Sequence, residues 1–188
     1  MRRSLFQLKG HFLSILSLAF SNDGLLASGS HDKTVKVWDI KKQENIATFK
    51  GHKDYINSVA FSNDGILVSG SQDNTIKLWN VDEKKLIGTL TGHTDPVFSL
   101  AFLKEGLLAS GSRDKTIKLW DIHQKKLMAT LTGHTDYIQS IAYHDTGILA
   151  SGSDDSTIKI WDTYARKFMD TLRGHTGAIK ALAFNSKG

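Results

Sequence analysis

Once in every 41 residues the sequence sets a histidine, a serine, an aspartate and a tryptophan at fixed offsets. The four sets are His11, Ser28, Asp32 and Trp38; His52, Ser69, Asp73 and Trp79; His93, Ser110, Asp114 and Trp120; and His134, Ser151, Asp155 and Trp161. A histidine that relays a proton between a serine hydroxyl and a carboxylate is the working part of an acyl-transfer triad, so these residue types could make a hydrolase. Repetition argues against it. An enzyme needs one such centre, and a set that recurs at one spacing belongs to a framework, so no catalytic residue is assigned. Five of the 8 histidines sit in Gly-His pairs, which raises metal binding as a second reading. Ligands must converge to about 2 Å from one ion, whereas these histidines fall in separate units, each with its own aspartate, and no metal is expected. With 0 cysteines there is no thiolate nucleophile, iron–sulfur cluster, cysteine zinc site or disulfide, and a reducing compartment fits. The sequence has no P-loop, dinucleotide-binding glycine motif or calcium loop, so neither a cofactor nor a small-molecule substrate is expected.

The elements that must position these residues follow from the repeat. The chain has 188 residues, 40% of them hydrophobic and 23% charged, which is the make-up of a soluble folded protein with a real core. Its net charge of +5 permits an acidic partner without requiring nucleic acid. Arg2 and Arg3 ahead of a mostly apolar stretch that ends in 12–20 have the outline of a secretory signal, but Gln7, Lys9, Gly10 and His11 interrupt that stretch, no small-x-small cleavage site follows, and the same segment recurs later in the chain. That run is read as a core strand, with no transmembrane segment and a cytoplasmic location expected.

Gly-His occurs at 10–11, 51–52, 92–93, 133–134 and 174–175, and all 4 tryptophans sit at one repeat position, followed by Asp39, Asn80, Asp121 or Asp162. Within one unit the apolar residues alternate with period two over 55–61, 66–69, 75–79 and 86–90, each a short strand. Ser62-Asn63-Asp64-Gly65, Asp73-Asn74 and the polar stretch 82–85 supply the turns. Four antiparallel strands per unit make one blade of a β-propeller. The 1 proline, Pro96, falls at the start of an inner strand, where a missing ladder donor is tolerated.

Gly-His, Ser-x-Asp in a tight turn and Trp-Asp at this spacing resemble the WD-repeat (WD40) β-propeller family, and the resemblance runs the length of the chain. Asn80 departs from it by losing a charge, and Lys104-Glu105-Gly106 departs where other units have Asn-Asp-Gly or Asp-Thr-Gly. The resemblance implies an all-β propeller region over 1–188, with repeat units 1–40, 41–81, 82–122, 123–163 and a partial 164–188. Its phase implies four complete four-stranded blades, an orphan outer strand at 5–8 and an orphan inner strand at 178–184, with 185–188 leading into the next strand. It also implies that each His, Ser, Asp and Trp set forms a buried hydrogen-bonded tetrad in which the Ser hydroxyl links His to the indole N–H. The first serine of each Ser-Gly-Ser is the choice for that role and the second the fallback. Similar propellers have about seven blades, so four units suggest an open arc or partial propeller, with self-association through uncovered terminal blades as an expectation.

Scaffold roles force identity between units, so the positions that differ are the candidates for recognition. Before the tetrad Asp stand His31, Gln72, Arg113 and Asp154; three residues after the Gly-His histidine stand Ser14, Tyr55, Pro96, Tyr137 and Ala178; five after it stand Leu16, Asn57, Phe98, Gln139 and Lys180. The resemblance puts all three positions on the top face around the channel. Tyr55, Asn57, Phe98, Arg113, Tyr137, Gln139, His31, Gln72 and Asp154 are taken as partner-binding, the aromatics and Arg113 carrying most of the energy. Lys41-Lys42, Lys84-Lys85, Lys125-Lys126 and Arg166-Lys167 form a basic arc on the opposite face, diluted by Glu44, Asp82 and Glu83. The expected function is a non-enzymatic scaffold for protein or peptide partners. Alternatives are a regulatory or sensor propeller whose catalytic domain lies outside this chain, and a basic-face binder of nucleic acid or phospholipid.

Overall fold

The computed structural model describes residues 7–185. The first sheet holds β1 (Ile15–Phe20), β2 (Leu25–Ser30), β3 (Thr34–Asp39) and β4 (Glu44–Lys50). The second holds β5 (Ile56–Phe61), β6 (Ile66–Ser71), β7 (Ile76–Asn80) and β8 (Lys85–Leu90). The third holds β9 (Val97–Phe102), β10 (Leu107–Ser112), β11 (Ile117–Asp121) and β12 (Lys126–Leu131). The fourth holds β13 (Ile138–His144), β14 (Ile148–Ser153), β15 (Ile158–Asp162) and β16 (Lys167–Leu172). Each sheet is an antiparallel meander in chain order. The sequence puts the first strand of the second unit at 55–61, and the structure starts it one residue later.

Turn chemistry explains the meander. Gly24, Gly65 and Gly147 take φ of 90°, 86° and 92° between the first two strands of their sheets, a region open to glycine at no steric cost. The third sheet uses Lys104-Glu105-Gly106 there, and a single 3-10 turn replaces the usual tight turn. Asn80 stands in for aspartate without loss of its hydrogen bond, because its Oδ1 accepts from the Glu83 N–H at 2.9 Å just as Asp39 Oδ1 accepts from Lys42 at 3.0 Å.

The apolar core lies between sheets rather than inside them. Val35, Val37 and Phe49 of the first sheet pack with Ile56, Val59, Leu67 and Trp79 of the second, and equivalent clusters join the second sheet to the third and the third to the fourth. Gly29, in the middle of Ser-Gly-Ser, sets this spacing: a Cβ there would stand 2.6 Å from Ile56 Cγ2. The inner strands are also joined by hydrogen bonds. The hydroxyl oxygens of Ser17, Ser58 and Ser99 accept from the N–H groups of Val59, Leu100 and Ile141, at 3.0, 3.2 and 3.0 Å.

The flanking strands expected from the repeat count come out differently. Residues 5 and 6 and residues 186–188 lie outside the described part, and Gln7 and Leu8 belong to no strand. Residues 178–184 form no strand either. They run beside the fourth sheet with Ile179 buried, the Ile179 N–H donating to the Ser153 carbonyl at 3.0 Å and the Leu182 N–H to Ser140 Oγ at 3.1 Å. A ladder needs a second strand of the same sheet, and these residues have only a neighbouring sheet to lean on. At the other end, Ile15, Leu18 and Phe20 of β1 are exposed, whereas Ile56 and Val59, which occupy the Ile15 and Leu18 positions, are buried on the first sheet. Among the described residues no helix is long and apolar enough to cross a membrane.

Candidate functional site

The four histidine sets are built alike. Each His Nδ1 lies 2.6 to 2.8 Å from its Asp Oδ2, and each His Nε2 lies 2.7 to 2.8 Å from its Ser Oγ. The Trp38, Trp79, Trp120 and Trp161 indoles each donate to that same Ser Oγ at 2.8 Å. A carboxylate only accepts, so the neutral imidazole carries its proton on Nδ1 and its Nε2 accepts from the serine hydroxyl. The serine concerned is the first of each Ser-Gly-Ser: Ser28, Ser69, Ser110 and Ser151. The second works nearby, its Oγ accepting from the tetrad Asp N–H at 3.0 to 3.1 Å.

This is the hydrogen-bond order of a hydrolase triad, and burial decides what it can do. The four hydroxyls belong to residues no more than 1% exposed, with an indole N–H occupying one lone pair, so no substrate carbonyl can reach them. Asp32 is gripped further by the Thr34 N–H and hydroxyl on Oδ1, at 3.0 and 2.6 Å, and by the Phe12 N–H on Oδ2 at 3.1 Å. Burial alone would raise the carboxyls. The bonds from the threonine, the histidine and the backbone outweigh it, holding Asp32 and Asp155 down to about 2 and Asp73 and Asp114 lower still. Burial lowers His134, against the pull of Asp155. Thr34, Thr75, Thr116 and Thr157 were legible as part of the set, since each stands two residues after its Asp, but residue type alone suggested no role for them.

The positions that differ between units gather at one end of the sheets. Backbone bonds tie the first variable position to the second inside each sheet: His31 N–H to the Ser14 carbonyl, Gln72 to Tyr55, Arg113 to Pro96 and Asp154 to Tyr137, all at 2.9 Å. Side chains then reach the next sheet. His31 stacks on Tyr55 with ring centroids 4.4 Å apart, and Arg113 lies over the Tyr137 ring at 4.6 Å while donating to its Oη at 3.0 Å. Asn57 donates to the Val97 carbonyl at 3.1 Å. Asp154 accepts from Gln139 on one oxygen and Lys180 on the other, both at 2.8 Å. Leu16, Asn57, Phe98 and Gln139 share a further property. Each is skipped in the pairing of its inner strand, the extra residue of a β-bulge, and is thereby turned out of the ladder. Ile56 and Val59 pack on the same glycine although three residues apart, a spacing that period two forbids and only a bulge permits. That was the available signal for the bulges.

Residues 2–39, 43–80, 84–121 and 125–162 match the WD domain, G-beta repeat, known as WD40. The chain belongs to the WD40 repeat family. Among its relatives, Cell division control protein 4 of Saccharomyces cerevisiae is 49% identical over 41 residues, which is 22% of this chain and 5% of that protein. Ribosome biogenesis protein YTM1 of Scheffersomyces stipitis is 52% identical over 44 residues, 22% of this chain and 9% of the other. Among solved structures, the RRP9 WD40 repeats superpose with a TM-score of 0.87 at 27% identity, covering 92% of this chain and 55% of that one. U3-55K gives a TM-score of 0.86 with the same identity and coverage. The chain thus spans about half the length of these structures and under a tenth of these curated relatives.

In each meander the turn between the third and fourth strands lies at the end of the sheet opposite the turn between the second and third, and these turns carry the basic arc. Its charge is partly engaged: Lys85 pairs with Glu83 at 2.7 Å, Lys42 with Asp39 at 3.6 Å, and Arg166 donates to the Met128 carbonyl at 3.4 Å.

Proposed function

We propose that this WD40 chain is a non-enzymatic scaffold that binds protein or peptide partners at the end of the blades carrying its variable positions. One observation supports this reading above the rest: residues that break the repeat are paired across two blade boundaries, Tyr55 with His31 and Tyr137 with Arg113, each pair setting an aromatic ring against a polar or charged group. Tyr and Arg are the residue types that concentrate interface energy, and rings fixed by stacking lose little entropy on binding. Relatives named for ribosome biogenesis and for cell division control suggest a place in a multiprotein assembly, and zero cysteines suit a reducing compartment such as the cytoplasm. The test is alanine at Tyr55, Phe98, Arg113 and Tyr137 against whichever partner the chain retains. Each change is expected to cost about 1–3 kcal/mol of binding with melting unchanged, and equal binding by the fourfold variant overturns the proposal.

A further inference from the structure

A second surface breaks the repeat as sharply as the first and lies apart from it. At the outer corner of the first blade a groove of about 560 Å³ opens between Phe12, Lys33, Lys36, Thr48 and Lys50, closed behind by Gly51 and His52. That volume falls within the range of ligand sites. Phe12 is 91% exposed. Later units put Lys53, Thr94, Thr135 and Thr176 at its position, and Thr91, Thr132 and Arg173 at that of Lys50. Lys53, Thr94 and Thr135 are exposed although a blade precedes each of them, so this position faces solvent in the interior of the array as well.

The groove's charge is unspent. Lys33 Nζ donates to the Lys53 carbonyl at 2.9 Å and Lys36 Nζ to Thr48 Oγ1 at 3.0 Å, both neutral acceptors, and among the described residues Lys50 has no ion pair. The one carboxylate in the lining, Asp32, is saturated by His11, Thr34 and the Phe12 N–H. Three ammonium groups around an exposed ring select an anionic ligand with an apolar part. The groove also borders β4, the edge strand of its sheet, which among the described residues makes no backbone hydrogen bond on its outer side. A polypeptide strand can use those groups, whereas a nucleic acid or a lipid headgroup cannot form a ladder with them.

We propose that the groove lined by Phe12, Lys33, Lys36 and Lys50 binds an acidic peptide segment, extended along β4, with its carboxylates on the lysines and an apolar side chain on Phe12.

The probe is a fluorescein-labelled decapeptide in which glutamate alternates with threonine around a central leucine, followed by anisotropy with the 188-residue chain at low salt. The glutamine counterpart of the probe is expected to bind at least about ten-fold more weakly. Lys50→Glu is expected to weaken the glutamate probe about ten-fold, Phe12→Ser about three- to five-fold, and Lys85→Glu, the same charge change at the opposite end of the blades, less than two-fold. Both groove residues are on the surface, so the variants should melt with the parent. Amide exchange in β4 should slow when the peptide is present. Equal binding of the two peptides, equal losses from Lys50→Glu and Lys85→Glu, an unaffected Phe12→Ser, unchanged exchange in β4, or tighter binding of labelled decauridylate than of the peptide would each overturn the proposal.

Discussion

The buried tetrads and the variable end of the blades are made from the same turns and differ in almost everything else. Asp114 and Arg113 are neighbours in the chain. The first accepts from His93 at 2.6 Å in a set repeated without change across four blades, while the place of the second is taken by His31, Gln72 and Asp154 in the others. One residue faces inward, where geometry is fixed by burial, and the next faces outward, where nothing constrains its type. A single turn therefore holds the fold and displays the recognition surface, and the two duties are separable by substitution.

The largest effect should come from the inward side. Trp120→Ala removes an indole that is almost wholly buried and orphans the Ser110 hydroxyl, and it should lower stability by about 3–5 kcal/mol. Thermal or urea melts measure this. Phe98→Ala at the bulge should stay within about 0.5 kcal/mol of the parent, and comparable losses from the two variants would dissolve the contrast. Next comes Gly111→Ala, whose added methyl would meet Ile138 Cγ2 at 2.7 Å across the blade boundary. A cost of about 1–3 kcal/mol is expected, and in the double variant with Ile138→Ala, which removes that Cγ2, the two losses should sum to less than their separate values.

Acid should act chiefly on the tetrads. His134 is held below its ordinary 6.5, so the unfolded chain takes up its proton first, and stability begins to fall as the pH drops below about 6.5. Asp32 and Asp155 hold their protons only near 2 when folded and near about 4 when unfolded, so a second loss spreads over that lower interval. Melting temperature against pH should show both phases, and Asp155→Asn should remove part of the second. The smallest effect is Asn80→Asp, which restores a charge while keeping the Oδ1 bond to the Glu83 N–H, and it should shift stability by no more than about 0.5 kcal/mol.

What the sequence revealed follows the same division. The blades, their order and the glycine turns were legible because alternation, Ser-Gly-Ser-x-Asp and Trp-Asp return in register, and a repeat turns weak local signals into strong ones. The choice between the two serines was open on residue type, since both have a hydroxyl. Only the direction of each side chain separates Ser69, under the Trp79 indole, from Ser71, on the Asp73 N–H. The bulges at Asn57 and Phe98 escaped notice because a period-two reading presumes an unbroken ladder. Residues 178–184 read as a strand from the phase of the repeat, but strand formation depends on a partner that no property of those residues supplies.

The serine bonds between inner strands bear on how the blades move. Ser17, Ser58 and Ser99 fasten each blade to the next through a backbone N–H 42 residues further on, all close to the axis, while among the described residues the rim strands β4 and β8 accept no such bond from the next blade and β12 accepts a single one, from Arg166 to the Met128 carbonyl. The array is bound like a book along its spine. Thermal breathing must then fan the rims and leave the inner edges nearly still, so contacts such as Asn57 with the Val97 carbonyl, beside the spine, keep their geometry while the outer corner beside Phe12 and Lys50 widens and narrows. A ligand near the axis would meet a finished surface, and one at the rim would meet a surface whose width it helps to set.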